Sequence, residues 1–148
     1  MRLLFHFSRE HLREFLQHKV EFGTGSEIMT THNRKLGQWG ENCAEEFLIG
    51  QGFKILDKNA RTSEGEIDLI ARRADLVVFA EVKTRAHNRN GYPEDAVTDE
   101  KMEHMVASAE IYLDQHPDLV GQWRIDVIAI TVTGRGKDPQ IEWFEDAE

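Results

Sequence analysis

The stretch GEIDLIARRADLVVFAEVKTR, Gly65 to Arg85, decides the fold. Two apolar runs rich in branched residues flank a short charged break, which reads as a β-hairpin with strands near 65–72 and 76–84. The uninterrupted run Val77-Val78-Phe79-Ala80 suggests a strand covered on both faces. Strand interiors disfavour charge, yet Asp68, Glu81 and Lys83 lie in them. With Ala74 and Asp75 as a two-residue turn, Arg73 pairs with Leu76 and Asp68 falls opposite Glu81. Directly opposed residues share a face, with Cβ atoms about 4.5–5.5 Å apart. A slip of one residue would separate them. Lys83 is on the face of Glu81, roughly 6.6 Å along the strand.

Two carboxylates at that distance repel, so one keeps its proton or a cation lies between them. Lys83 supplies part of that charge, and a hard divalent cation supplies more. Mg²⁺ takes oxygen ligands and is commonly held by one or two carboxylates plus a substrate phosphate. A neighbouring lysine can orient an attacking water or stabilise charge on the phosphoryl group. The competing reading of the same residues is a solvated hairpin face with cross-strand ion pairs, and at this level both stand.

Working outward, Leu36, Gly40, Cys43, Ala44, Phe47 and Leu48 keep helical spacing, and Gly50-Gln51-Gly52 ends that helix. FKILDKNA reads as a strand before the hairpin. HNRNGYPEDAVT after it is a loop rich in turn residues. Thr98 can cap a second helix, with Asp99 and Glu100 in its first turn and Met102, Met105, Val106, Ala109 and Leu113 as its buried stripe. WRIDVIAITVT is a β-branched strand, and QIEWFE a short final strand expected at a sheet edge. The order α-β-β-β-α-β-β implies an α/β fold with a mixed central β-sheet flanked by helices. Residues 1–32 read as an N-terminal extension or loosely attached helix plus linker, with SREHLREFLQHKV as the helix and FGTGSE as the link. The compact domain spans 33–148.

The 148 residues suit one domain, and 40% hydrophobic with 30% charged residues suits a packed core. No apolar run is long enough to span a bilayer, and MRLLFHF is too short for a secretory signal. One cysteine, Cys43, excludes an internal disulfide and a Cys-rich zinc site. The histidines lack zinc-ligand spacing. The expected compartment is cytoplasmic, with no membrane partner. A net charge of −9 argues against non-specific coating of nucleic acid but permits a local contact.

Asp68 followed by Glu81-Val82-Lys83 resembles the PD-(D/E)xK signature of the restriction-endonuclease-like superfamily. GEIDLI, VFAEVKTR, GYPEDAV, Lys101 and RIDVIAI, in that order over roughly residues 33–145, resemble the YraN-like family of uncharacterised bacterial proteins, related to archaeal Holliday junction resolvases. The bare signature is weak, whereas the ordered set is specific. The resemblance implies a restriction-endonuclease-like fold and a first-helix glutamate in the site. Glu41 is the matching position, and Glu45, one turn on, is the alternative. It implies Glu41, Asp68 and Glu81 as ligands of Mg²⁺ or Mn²⁺, with the Val82 carbonyl as a fourth, and Lys83 as the catalytic lysine beside Asp68 and Glu81. The chain departs from the family pattern in its N-terminal extension and in ending IEWFEDAE rather than in a His-containing segment.

Further residues could meet nucleic acid: Arg85 on the active face, Arg89 and Tyr92 with His87 in the loop, Lys101 at the start of the second helix, and Arg61. Each is equally at home on a solvated surface. Asp126, inside an apolar strand, reads as structural, paired with Arg124 or Arg61. Three functions follow. The first is a Mg²⁺-dependent endonuclease acting on DNA, possible substrates being branched or structured DNA cut by a homodimer. The others are a nucleic-acid-binding module of the same fold that barely cleaves, and an acidic protein-interaction domain.

Overall fold

A computed structural model describes residues 4–7, 28–86, 97–134 and 136–147. The hairpin forms as its sequence dictates. Strand β3 (Glu66–Arg73) and strand β4 (Leu76–Ala86) pair antiparallel, with Arg73 opposite Leu76 and Leu69 opposite Ala80. Ala74 takes φ 54 in the turn. That positive φ closes a tight hairpin without the usual Asn-Gly pair. Val77, Val78, Phe79 and Ala80 are all buried, so β4 is covered on both faces.

Helix α1 (Ile28–Gly50) starts earlier than expected and ends where expected. Its end is a Schellman motif: the Phe53 amide donates to Leu48 O, and the Gly52 amide to Ile49 O. Gly52 is needed there because its φ is +85. The apolar stripe of α1 buries Ala44, Phe47 and Leu48 against Leu69, Ala71, Val78, Ala80, Ile128 and Ile130. Helix α2 (Asp99–Gln115) is capped by Thr98, whose Oγ1 accepts the Lys101 amide at 3.1 Å. It covers the opposite face through Met105, Ala109 and Tyr112, packed on Ile70, Val77, Phe79 and Ile125.

The remaining strands are β1 (Leu4–Phe7), β2 (Lys54–Arg61), β5 (Gln122–Val132) and β6 (Gln140–Phe144). Among the described residues the sheet is six-stranded, in the order β1-β6-β5-β4-β3-β2. It is mixed: β4–β5 and β1–β6 are parallel and the other pairs antiparallel. The parallel β4–β5 pair requires a crossover, which α2 provides. This is the α/β architecture, with helices on both faces of a mixed sheet, expected of a restriction-endonuclease-like fold. One expectation is corrected. β6 is interior, because Leu4–Phe7 pairs along its outer side. A strand of four residues is too short for its alternation to stand out. The helix read in SREHLREFLQHKV, the FGTGSE link and most of the loop after β4 lie outside the described residues. Among the described residues no helix is long and apolar enough to cross a membrane.

Candidate active site

The charged end of the hairpin lies where β3 and β4 stop pairing. The register that sets Leu69 opposite Ala80 would next pair Asp68 with Glu81. There the side chain of Asp68 takes over, and its Oδ2 accepts the Val82 amide at 2.8 Å. The carboxylate thus satisfies a backbone donor that the ladder leaves unpaired.

Asp68 is half-buried, and the desolvation this brings above all raises its pKa, from 3.8 to about 7. The Glu81 carboxylate adds to the rise and Glu41 contributes further, while the Val82 amide and Lys101 pull the other way. Glu81 is only 6% exposed. Lys83 Nζ is 3.4 Å from its Oε1, and Lys101 Nζ is 3.6 Å from its Oε2. Oε2 is buried without a hydrogen-bond partner, an expensive state for a carboxylate oxygen.

Glu41 reaches this end of the sheet because α1 approaches β4 closely at Gly40. A Cβ on Gly40 would collide with the Thr84 hydroxyl, so only glycine permits this contact. Asn59 Nδ2 donates to Glu41 Oε2 at 3.4 Å. Of the two helix glutamates, Glu41 bears on Asp68, whereas Glu45 is held in an ion pair with Lys58 at 2.7 Å.

The residues expected to meet nucleic acid divide. Lys101 joins the cluster from α2, at Glu81. Arg85 continues the β4 face and partly offsets the burial that raises the pKa of Glu142. Arg61, at the solvent-exposed end of β2, is paired with Glu66 at 2.9 Å, two residues along β3 from Asp68. Arg89 and Tyr92, with His87, lie outside the described residues. Asp126 is structural, and its partner is Arg124, not Arg61. Fully buried, it forms an ion pair with Arg124 Nε at 2.9 Å and accepts hydrogen bonds from Trp143 Nε1 and the Asp146 amide.

Sequence reasoning missed three parts of this arrangement: the Gly40–Thr84 contact, the Asn59 bond to Glu41, and the pairing of Lys101 with Glu81. Each joins residues far apart in the chain, and no local periodicity signals it.

Among the described residues no group of three His, Cys, Asp or Glu side chains forms a ready metal cage. Mg²⁺ does not need one, because it is usually held by one or two carboxylates and completed by water and a substrate phosphate. Asp68, Glu81 and the unbonded Oε2 fit that requirement.

The sequence model of the uncharacterised protein family UPF0102 matches residues 40–130, which hold Gly40, Glu41, the hairpin, α2 and most of β5. A UPF0102 protein of Syntrophotalea carbinolica is 42% identical over 119 residues, covering 80% of this chain and 95% of that one. Another, of Syntrophomonas wolfei, is 43% identical over 100 residues, covering 68% and 87%. A third, of Dictyoglomus turgidum, is 35% identical over 116 residues, covering 78% and 98%.

Proposed function

The chain belongs to the uncharacterised protein family UPF0102, and we propose that it is a Mg²⁺-dependent endonuclease that hydrolyses phosphodiester bonds of branched or otherwise structured DNA. One observation carries this reading: Asp68, Glu81 and Lys83 converge where the hairpin opens, and Glu81 there keeps a buried oxygen without a hydrogen bond. Asp68 and Glu81 hold the ion, with Glu41 and the Val82 carbonyl as further ligands. Mn²⁺ can replace Mg²⁺. When bound there, the ion would supply charge to polarise the scissile phosphate and to lower the pKa of a bound water.

The chain's own groups do the rest. Asp68 ligates only once its proton has left. Its acceptor bond from the Val82 amide fixes the orientation of its carboxylate. Lys83, 16% exposed, presents its ammonium beside Glu81, where it can hold the attacking water or a non-bridging phosphate oxygen. Arg85 extends the same face towards the DNA backbone. In a symmetric homodimer two such sites cut paired strands of a junction.

The purified protein with Mg²⁺ or Mn²⁺ is expected to nick a four-way junction, and Lys83→Ala to lose roughly a hundredfold or more in rate. An unchanged rate in that variant contradicts the mechanism. A second reading, a DNA-binding module that barely cleaves, draws on a specific observation: Glu81 is already flanked by two lysines, and among the described residues no three-carboxylate group is assembled. It predicts salt-sensitive junction binding that survives Lys83→Ala, with no metal-dependent turnover.

A further inference from the structure

We propose that Lys101 is a built-in counter-cation of the metal-free site, held at Glu81 Oε2 until a divalent ion displaces it. This rests on the metal-binding reading of the Asp68–Glu81 pair. Each oxygen of Glu81 faces one lysine: Oε1 faces Lys83 Nζ at 3.4 Å and Oε2 faces Lys101 Nζ at 3.6 Å. The two contacts are not equivalent. Lys83 is only 16% exposed and comes from the same strand as Glu81. Lys101 is 37% exposed and comes from the first turn of α2, the covering helix. Its distance to Oε2 is beyond a hydrogen bond, so Oε2 has a nearby charge but no donor. Lys101 also acts on Asp68, lowering its affinity for a proton, so it serves both carboxylates from one position.

Such a contact is easily exchanged. A divalent ion would approach a carboxylate oxygen to about 2.1 Å, closer and with twice the charge. The Lys101 ammonium cannot keep its place beside Oε2 against that ion. It has open solvent on one side and a flexible four-carbon stem. Once displaced it remains at the mouth of the site, where the substrate's phosphates arrive, and it can pair with one of them. Metal binding and substrate binding would then share one lysine, which leaves the carboxylate for the phosphate. The Lys101 backbone stays in place throughout, because its amide is held by the Thr98 cap.

The test is calorimetric titration of Mn²⁺, without DNA, into the wild type, Lys101→Met and the control Lys54→Met. Lys54 pairs with Arg72 near the turn end of the hairpin, away from the site. Lys101→Met is expected to bind Mn²⁺ about fivefold more tightly than wild type, the size of a half-exposed ion pair, with Lys54→Met unchanged. Binding by Lys101→Met where the wild type shows none also supports the displacement. Equal or weaker binding by Lys101→Met overturns it while leaving the nuclease reading intact, as does the same gain in Lys54→Met, which would make it an effect of net charge. No binding by any of the three overturns the displacement, and the same titration with a four-way junction present then decides the nuclease reading. Unchanged circular dichroism of Lys101→Met establishes that the comparison is between folded proteins.

Discussion

Asp68 is poised by burial. Its carboxyl is pushed up to about 7 by desolvation, then by the charges of Glu81 and Glu41. Between the ordinary carboxylate value and that one, the folded protein binds more protons than the unfolded chain. Stability therefore falls as pH rises from about 4 to about 7, and the loss persists above. A tenfold difference in proton affinity between folded and unfolded chain is worth about 1.4 kcal/mol, so the cost at pH 8 is a few kcal/mol at most. Asp68→Asn keeps an acceptor for the Val82 amide and removes the charge. Thermal unfolding in EDTA should show the variant more stable than wild type at pH 8 and little different at pH 4. A variant less stable at pH 8 would contradict the burial argument. The proton and the metal compete for the same carboxylate, so Mn²⁺ affinity of the wild type should rise between about pH 6 and about pH 8. Asp68, Glu81 and Lys83 were legible in the chain because a strand's period of two and one short turn fix their common face. Lys101 was legible as a residue but not as the partner of Glu81, because the helix that carries it packs through contacts no local pattern encodes.

Among elements, the approach of α1 to β4 sets the geometry of the site. Gly40 lets the helix backbone pass over Thr84, and Glu41 follows it in the chain. Gly40→Ala forces a methyl into Thr84 and should cost roughly 1–3 kcal/mol in chemical denaturation. The addition of Thr84→Ala should recover part of the loss. A neutral Gly40→Ala would mean that the helix is not held there. The clasp Arg124–Asp126–Trp143, whose Asp126 pairs with Ala80 on the α1 side of the sheet, is a separate matter. Asp126→Ala leaves a half-buried arginine without one of its carboxylates and two donors without their acceptor. It should destabilise by about 3–5 kcal/mol without altering metal affinity in the protein that still folds. Both helices, the hairpin register and the long β5 could be read from periodicity and caps. β1 and the interior place of β6 could not, since a four-residue strand carries too little pattern and edge position depends on what pairs outside it.

Taken as one body, the protein carries a net charge of −9, which opposes a polyanion. On the proposed function DNA would be met locally, by Lys83, Arg85 and Lys101 at one end of the sheet, with only a few phosphates neutralised. Junction binding by the Lys83→Ala protein, which keeps Arg85 and Lys101, should weaken with salt with a log–log slope of roughly −2. A slope near −8 would indicate a broad basic interface instead.

Everything proposed for this site depends on the carboxylates of the opened hairpin holding a divalent ion. Calorimetric titration of Mn²⁺ into the wild type and Asp68→Asn at pH 8, with and without a four-way junction, measures that binding itself. The wild type is expected to bind, more tightly with the junction present, and Asp68→Asn to lose at least about tenfold in affinity. Equal affinity in the two proteins, or no binding by the wild type even with DNA present, would contradict a metal site at Asp68 and Glu81.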